Sequence, residues 1–321
     1  MDQQIVIQTL HVFRENSDYC VFDLETTGKN ATATAKYPTA AKVLQIAARR
    51  YRYNHKDRSV KLLAQLNVLL NDPTIEEIDP FLTNEVHHIG MPQIRDAALA
   101  AKFGTEHMSD PAMAAEYRAE LVDPRTGWSR FAKLLSGAVA VGHNIDNFDI
   151  PFAQYDSARW GLEMPFLTFE GEPLPVGYNP KKTAIHSIDT VKVARLLWHR
   201  DNRGIGKAGY KLRSLANMLH VKTDPALDHN ALGDINTNWL LFMAMLPYLR
   251  SYQQRFLPPS GSPPDQYRRM LPGLRASIPT AAEYAAARAA RDVATLERAA
   301  RSAEGLNEPD LVEDEGGIEA V

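Results

Sequence analysis

Residues 22–28 read Phe-Asp-Leu-Glu-Thr-Thr-Gly and close an apolar, β-prone run of the chain. Successive side chains of a strand point to opposite faces of a sheet, so Asp23 and Glu25 share one face while Phe22 and Leu24 point into the core on the other. Two neighbouring carboxylates repel each other unless a cation lies between them, and hard oxygen ligands favour Mg²⁺ or Mn²⁺ over zinc. The stretch therefore predicts a buried strand that carries a metal site. Two solvated acids at a strand end are the alternative.

The sequence on either side predicts a mixed sheet covered by helices. Val43–Tyr53 and Val60–Leu70 are expected to form an antiparallel hairpin, and Ala138–Val141 and Ala184–Ile188 are expected to be later strands. Helices are predicted over residues 151–160, 190–199, 212–219 and 234–246, the last one stopped near Pro247, and residues 92–136 are predicted to be mostly helical. An early hairpin followed by β-α-β segments indicates the α/β class.

The composition is that of an ordinary soluble globular protein, with 45% hydrophobic and 23% charged residues among 321. The formal net charge is −3, but seven acids and no Lys or Arg follow residue 303, so residues 1–303 carry about +4. The single cysteine, Cys20, is expected to be an inert core thiol in a reducing compartment. We expect no signal peptide, no membrane span and a cytoplasmic location.

The chain is predicted to divide into three parts. Residues 1–250 form the compact domain, residues 251–279 a Pro-rich linker, and residues 280–321 a C-terminal helix with an acidic tail. The C-terminal arm is a candidate docking site for a polymerase or for a second copy of the chain.

Two further segments carry acids at telling positions. The first runs from Gly142-His143-Asn144 to Phe148-Asp149, just past a predicted strand. Asp149 is a metal-ligand candidate or a helix N-cap, and Asp146 has the same ambiguity. The second segment places His229 five residues before Asp234. A histidine beside a metal cluster has a pKa suited to proton transfer near neutrality.

These three motifs resemble the DEDDh, or DnaQ-like, 3′–5′ exonuclease family of the ribonuclease H-like superfamily. The resemblance spans about residues 18–246. It implies a mixed five-stranded sheet flanked by helices, here with a C-terminal helical extension. It also implies a two-metal hydrolysis that releases nucleoside 5′-monophosphates from a 3′ end.

The resemblance also assigns site residues. Asp23, Glu25, Asp149 and Asp234 would bind two Mg²⁺ ions, which Mn²⁺ can replace, and His229 would be the general base. Asn230, and not a tyrosine, stands four residues before Asp234, which disfavours the tyrosine-using branch of the superfamily.

The second motif departs from many members of the family. Three residues, and not two, separate Asn144 from Phe148. Some members share this longer spacing, so Asp149 is the expected ligand and Asp146 the alternative.

Several residues are candidates to contact the substrate. Apolar and aromatic side chains would pack against terminal bases, and basic residues would hold phosphates without sequence preference. For Leu24, Phe148, His88 and Ile89, ordinary core packing is the alternative. The candidates are Leu24, Thr26, Thr27, His88, Ile89, Asn144, Phe148, Arg203, Lys207 and Lys211.

Four functions compete. The first is a DNA exonuclease, free-standing or a proofreading subunit, that acts on single-stranded or frayed 3′ ends. The others are an RNA-trimming exonuclease of the same family, a catalytically silent polymerase-associated module, and an endonuclease of the ribonuclease H type. Selection against a 2′-OH depends on pocket shape, so the acids alone do not separate DNA from RNA. DNA is the preferred partner, and no membrane partner is expected.

Overall fold

A computed structural model describes residues 18–32, 40–54, 57–106, 108–168, 171–179, 183–198, 209–223 and 230–256. Its central element is a six-stranded mixed sheet with the order β4-β3-β2-β1-β5-β6. β1 pairs antiparallel with β2 and parallel with β5, β2–β3 is antiparallel, and β3–β4 and β5–β6 are parallel. The strands are β1 (Asp18–Thr26), β2 (Val43–Tyr53), β3 (Val60–Leu70), β4 (Glu120–Val122), β5 (Val139–Gly142) and β6 (Ser187–Asp189).

Helices cover both faces of this sheet. Several begin after an aspartate whose side chain accepts a backbone N–H, as Asp79, Asp110 and Asp123 do, with proline in the first turn. The described helices are α1 (Pro80–Glu85), α2 (Ala97–Lys102), α3 (Pro111–Tyr117), α4 (Pro124–Leu135), α5 (Asp149–Ala158), α6 (Thr190–Trp198), α7 (Leu212–Met218) and α8 (Ala231–Phe256).

Alternation along β1 sets the two layers. Tyr19 and Val21 belong to a core that α6, α7 and α8 close over one face. Phe22 and Leu24 belong to a second core under α4 and α5. Because Asp23 and Glu25 have the parity of Tyr19 and Val21, they lie on the face that α8 covers.

A third, smaller core lies beside the first. Leu44 and Leu69 of β2 and β3 pack against Ile89, Ile94 and Phe103. The segment that contains α1 and α2 therefore extends the cover of the sheet next to β1.

The predicted fold is confirmed, with one strand added. The expectation of a mostly helical stretch over residues 92–136 is wrong at Glu120–Val122, which form β4. Three residues are too few to give a periodic signal, and this strand is specified by pairing Leu121 with Leu69.

The predicted end of the last helix is also wrong. α8 contains Pro247 and continues to Phe256. Proline removes one helix hydrogen bond, but Leu246 and Leu249 on either side are buried in the core under α8, which offsets that loss. The helix thus crosses residue 250, where the compact domain was predicted to end.

The C-terminal helix and tail predicted over residues 280–321 lie outside the described residues, as do residues 257–279 of the predicted linker. The division into domain, linker and arm stays a prediction. No helix in the described part of the chain is long and apolar enough to cross a membrane.

We predict that Gly127→Ala destabilises the domain through the contact between α4 and β3. A Cβ at Gly127 would lie 2.5 Å from Leu70 Cδ2. Overpacking of this kind costs about 1–3 kcal/mol, against the small gain that Gly→Ala gives in an unhindered helix. Urea unfolding measures this change in the free energy of unfolding. Leu70→Val removes the obstructing atom, so in the double variant the cost of Gly127→Ala should largely disappear. Additive losses would contradict the steric origin.

Candidate active site

Two carboxylates of the site come from the end of β1. Asp23 and Glu25 pair across to Ala47 and Gln45 of β2, and their parity puts them under α8. Part of each side chain stays accessible to solvent. The prediction that they share a face of a buried strand is therefore correct.

Asp149 contacts the same strand from the side on which β5 pairs with it. It begins α5 after the turn that follows β5, and it is 2% exposed. Its Oδ1 accepts the N–H of Leu24 at 3.0 Å, beyond the point where β5 stops pairing with β1. This hydrogen bond satisfies a buried donor of β1 and fixes the carboxylate beside Asp23.

Asp234 completes the group from α8. It lies in the first turn of that helix, and its N–H donates to Asn230 O at 2.9 Å. α8 packs on β1 and β2, with Tyr51 stacked on Trp239 at a centroid distance of 4.2 Å. This packing turns the first helical turn toward Asp23 and Glu25.

The four carboxylates lie close enough to perturb one another. Burial, followed by the charges of Asp149, Glu25 and Asp234, raises the pKa of Asp23 well above its usual value. Burial and then Asp234 and Asp149 do the same to the pKa of Glu25. Burial raises the pKa of Asp149 to about 8 despite the Leu24 hydrogen bond. The structure thus brings together four acids that sequence analysis placed in three separate motifs.

This donor set suits hard divalent cations. Within the described residues, no three His, Cys, Asp or Glu side chains already lie in the close arrangement of a metal site. The chemistry of the group fits nevertheless, because it consists of oxygen donors and because mutual repulsion at a buried site is what bound cations would offset.

Asp146, the alternative to Asp149, is turned away from this cluster. It is 3% exposed, its Oδ1 accepts from Ser187 Oγ at 2.6 Å, and its Oδ2 pairs with Lys192. The extra residue of the second motif is therefore absorbed in the turn, where Asp146 faces β6 and α6 while Asp149 faces β1.

The turn after β1 is held by internal hydrogen bonds. Thr27 donates its N–H to Lys42 O at 2.8 Å, and its Oγ1 accepts the Lys42 N–H at 2.9 Å. Thr26 Oγ1 donates to Gly28 O at 2.6 Å. The Thr27 N–H is thus already used within the protein and is not free to bind substrate.

His87 supports the same turn. The sequence prediction had named its neighbour His88 instead. His87 is 1% exposed, its ring Nε2 lies 3.2 Å from Thr26 O, and its Nδ1 accepts the Ile89 N–H at 3.0 Å. Burial lowers the pKa of His87 to about 4, so the ring is neutral and Nε2 carries the hydrogen. His88 is exposed, with φ of 58°.

The apolar substrate candidates divide into two groups. Leu24 and Ile89 are 3% and 0% exposed and pack in the cores, the alternative given above, so neither side chain is accessible to a base. Phe148 is only partly buried, with its ring centroid 4.8 Å from that of Phe152. It remains a candidate.

Two groups of this region, buried Asp189 and half-buried His143, were not predicted to support the site. Asp189 Oδ1 accepts the N–H of Asn144 at 3.0 Å, and Asn144 has a left-handed φ of 65°. The charge of Asp189 also contributes to the raised pKa of Asp149. His143 Nδ1 lies 2.9 Å from Thr190 Oγ1, which also contacts Asn238 of α8. The segment Ile188-Asp189-Thr190, which has a weaker similarity to the same exonuclease family, is the sequence signal that pointed to this region.

The basic candidates are only partly visible. Lys211 is exposed at the start of α7, whereas Arg203, Lys207 and His229 lie outside the described residues. A second basic stretch, formed by Arg49, Arg50 and Arg52 on β2, is engaged within the protein. Arg49 pairs with Glu116, and both Arg50 and Arg52 pair with Asp18.

A comparison with protein families identifies the domain. Residues 110–242 match the RNase_T family model, described as "Exonuclease". This part of the chain is similar to the exonuclease domains of that family. The match contains Asp149 and Asp234, and the structure adds Asp23 and Glu25 to them. It confirms the resemblance at the level of the exonuclease family, whose members use divalent metal ions.

Solved structures with a similar fold are more distant. Escherichia coli exonuclease I with a dT13 oligonucleotide is 15% identical, with a TM-score of 0.44, over 75% of this chain and 44% of that one. Cell-death related nuclease 4 (CRN-4) is 14% identical, with a TM-score of 0.43, over 72% of this chain and 64% of that one. The chain thus spans less than half of exonuclease I. No curated protein matches the sequence significantly.

We predict that Asp23→Asn stabilises the metal-free protein. The raised pKa of Asp23 means that ionisation is less favourable in the folded than in the unfolded state, so stability falls as pH rises above the ordinary carboxyl range. At pH 8 with a chelator, the variant should melt higher by roughly 3 °C or more, the shift that about 1 kcal/mol gives a domain of this size. Added Mn²⁺ should stabilise the wild type and have much less effect on the variant.

Asp146→Asn is the matched control for that prediction. It weakens a buried ion pair with Lys192, so it should melt lower than the wild type and keep the response to Mn²⁺. If Asp23→Asn melted lower in the same way, the view of Asp23 as a member of a repelling cluster would be wrong.

Proposed function

We propose that this exonuclease domain removes nucleotides from the 3′ end of DNA, single-stranded or frayed, with two bound Mg²⁺ ions and His229 as general base. The single observation that carries the proposal is the mutual electrostatic effect of Asp23, Glu25, Asp149 and Asp234. Acids that repel one another on this face of the sheet lower the stability of the fold. Binding of divalent cations is the function that accounts for their presence.

The four carboxylates would hold metal from three different parts of the fold. Asp23 and Glu25 project from the end of β1, Asp149 from the start of α5 and Asp234 from the first turn of α8. When bound, the two ions would supply an activated water and charge stabilisation at both reacting oxygens. The hydrogen bond from Leu24 N–H would hold Asp149 in place, so the four carboxylates would stay close together around the ions.

The remaining steps would belong to other side chains. His229, five residues before Asp234, would take the proton of the attacking water, a role that the pKa of histidine in general suits. Phe148, partly exposed beside Phe152, would pack on a terminal base without selecting its identity. Lys211, and Arg203 and Lys207 before it in the chain, would hold phosphates.

Digestion of end-labelled nucleic acid tests this function. With Mg²⁺, 3′-labelled single-stranded DNA should release its label at once as a nucleoside monophosphate, whereas 5′-labelled DNA should shorten stepwise. Duplex DNA with paired ends should react more slowly because its end must first fray. Faster digestion of RNA than of DNA would favour the RNA-trimming alternative, and internal cuts would favour an endonuclease.

Two controls accompany this experiment. A chelator should stop the reaction. His229→Ala should lower turnover strongly while leaving Mn²⁺ binding largely intact, because histidine is proposed as a base and not as a ligand. Near-normal turnover of that variant would overturn its role, and no cleavage by the wild type would support a silent binding module.

Asp149 and Asp146 can be separated by paired substitution. Asp149→Ala should abolish cleavage and weaken Mn²⁺ binding, because it removes a carboxylate beside Asp23. Asp146→Ala should retain metal binding and most of the turnover at a lower melting temperature, because it removes the partner of Lys192. Loss of metal binding only in Asp146→Ala would reverse the assignment.

A further inference from the structure

A close contact joins the segment before β4 to the start of the helix that carries Asp234. Gly104, after α2, has φ of 73°, and a Cβ built on it would lie 2.1 Å from Asn230 Nδ2. A real Cβ does not approach another heavy atom so closely. The backbone at Gly104 therefore packs directly on the Asn230 amide.

Asn230 is held in place at its other atoms. Its Oδ1 accepts the N–H groups of Leu232 at 3.0 Å and Gly233 at 3.3 Å, which caps α8. Its backbone O accepts the Asp234 N–H. The side chain is 6% exposed, and within the described residues its Nδ2 has no hydrogen-bond partner. Packing against Gly104, and not a hydrogen bond, fixes that end of the amide.

Gly104 is equally constrained from its own side. Phe103 is buried in the small core beside β2 and β3. Thr105 donates both its N–H and its Oγ1 hydroxyl to Lys102 O, at 3.0 and 2.9 Å. The turn is therefore anchored to the core. Gly104 and Asn230 are both held in place where they contact each other.

From this geometry we infer that Gly104 is a positioning residue for the proposed reaction. It packs on Asn230, which caps the helix of Asp234 and directly follows His229 in the chain. The segment with α1 and α2 thus sets the position of the helix start that carries the last metal ligand, Asp234. This inference rests on the proposed function.

The test compares Gly104→Ala with Gly161→Ala. Gly161 has φ of 70°, and no heavy atom of the described residues lies within 4 Å of its Cβ position, so it carries the same backbone strain without the contact. Gly104→Ala should lower kcat about 10- to 100-fold, because a displacement of about 1 Å at a reacting group has effects of that size, with KM within about twofold. Gly161→Ala should keep kcat. Equal kcat values for the two variants would overturn the inference.

A second substitution relieves the contact. Serine at position 230 keeps a capping oxygen and removes the amide, so Asn230→Ser should restore much of the kcat lost in Gly104→Ala, relative to Asn230→Ser alone. If Gly104→Ala does not fold, the double variant should fold. A double variant as impaired as Gly104→Ala would overturn the inference, because the damage would then come from elsewhere.

A readout independent of catalysis separates this inference from the proposed function. In Gly104→Ala, the amides of Leu232 and Gly233 should exchange hydrogen faster, because displaced Asn230 no longer caps them, while Gly161→Ala leaves them protected. Unchanged exchange would overturn the positioning role whatever the enzyme does. Failure of the wild type to cleave any 3′ end would refute the proposed function alone.

Discussion

Mutual repulsion among four carboxylates, Asp149 buried and the other three half-buried, is the constraint on which the rest of this structure depends. Asp23, Glu25, Asp149 and Asp234 come from three distant parts of the chain, and burial together with their charges raises the pKa values of Asp23 and Glu25. Such a group would relax apart unless the fold held each member. The sheet, α5 and α8 hold them close together. The acids therefore repel one another, and bound cations would offset that repulsion.

Two local devices give this hold its rigidity. One is the hydrogen bond from Leu24 N–H to Asp149, which uses a backbone donor left free where β5 ends. The other is the neutral ring of His87, which lies between Thr26 O and the Ile89 N–H and so ties the turn after β1 to the third core. Both place a polar group against the strand that carries Asp23 and Glu25. Both also give a hydrogen-bond partner to a backbone group of that strand, Leu24 N–H in one case and Thr26 O in the other.

The segment around α1 and α2 extends this support to α8. Phe103 anchors it in the small core, and Gly104 meets Asn230 at the cap of α8. This segment thus contacts the start of the helix that carries Asp234. The segment is part of the scaffold of the site.

The sequence by itself determined the strands of the hairpin, the shared face of Asp23 and Glu25, and the motifs that contain the acids of the cluster, because a period of two and short motif spacings are local properties. It did not determine β4, whose three residues are specified by pairing with β3. It left Asp149 and Asp146 open, since both stand in one turn. Only tertiary packing separated them, by turning Asp149 to Leu24 and Asp146 to Lys192. The roles of His87 and Gly104 likewise depend on contacts between residues far apart in the chain, which no local pattern encodes.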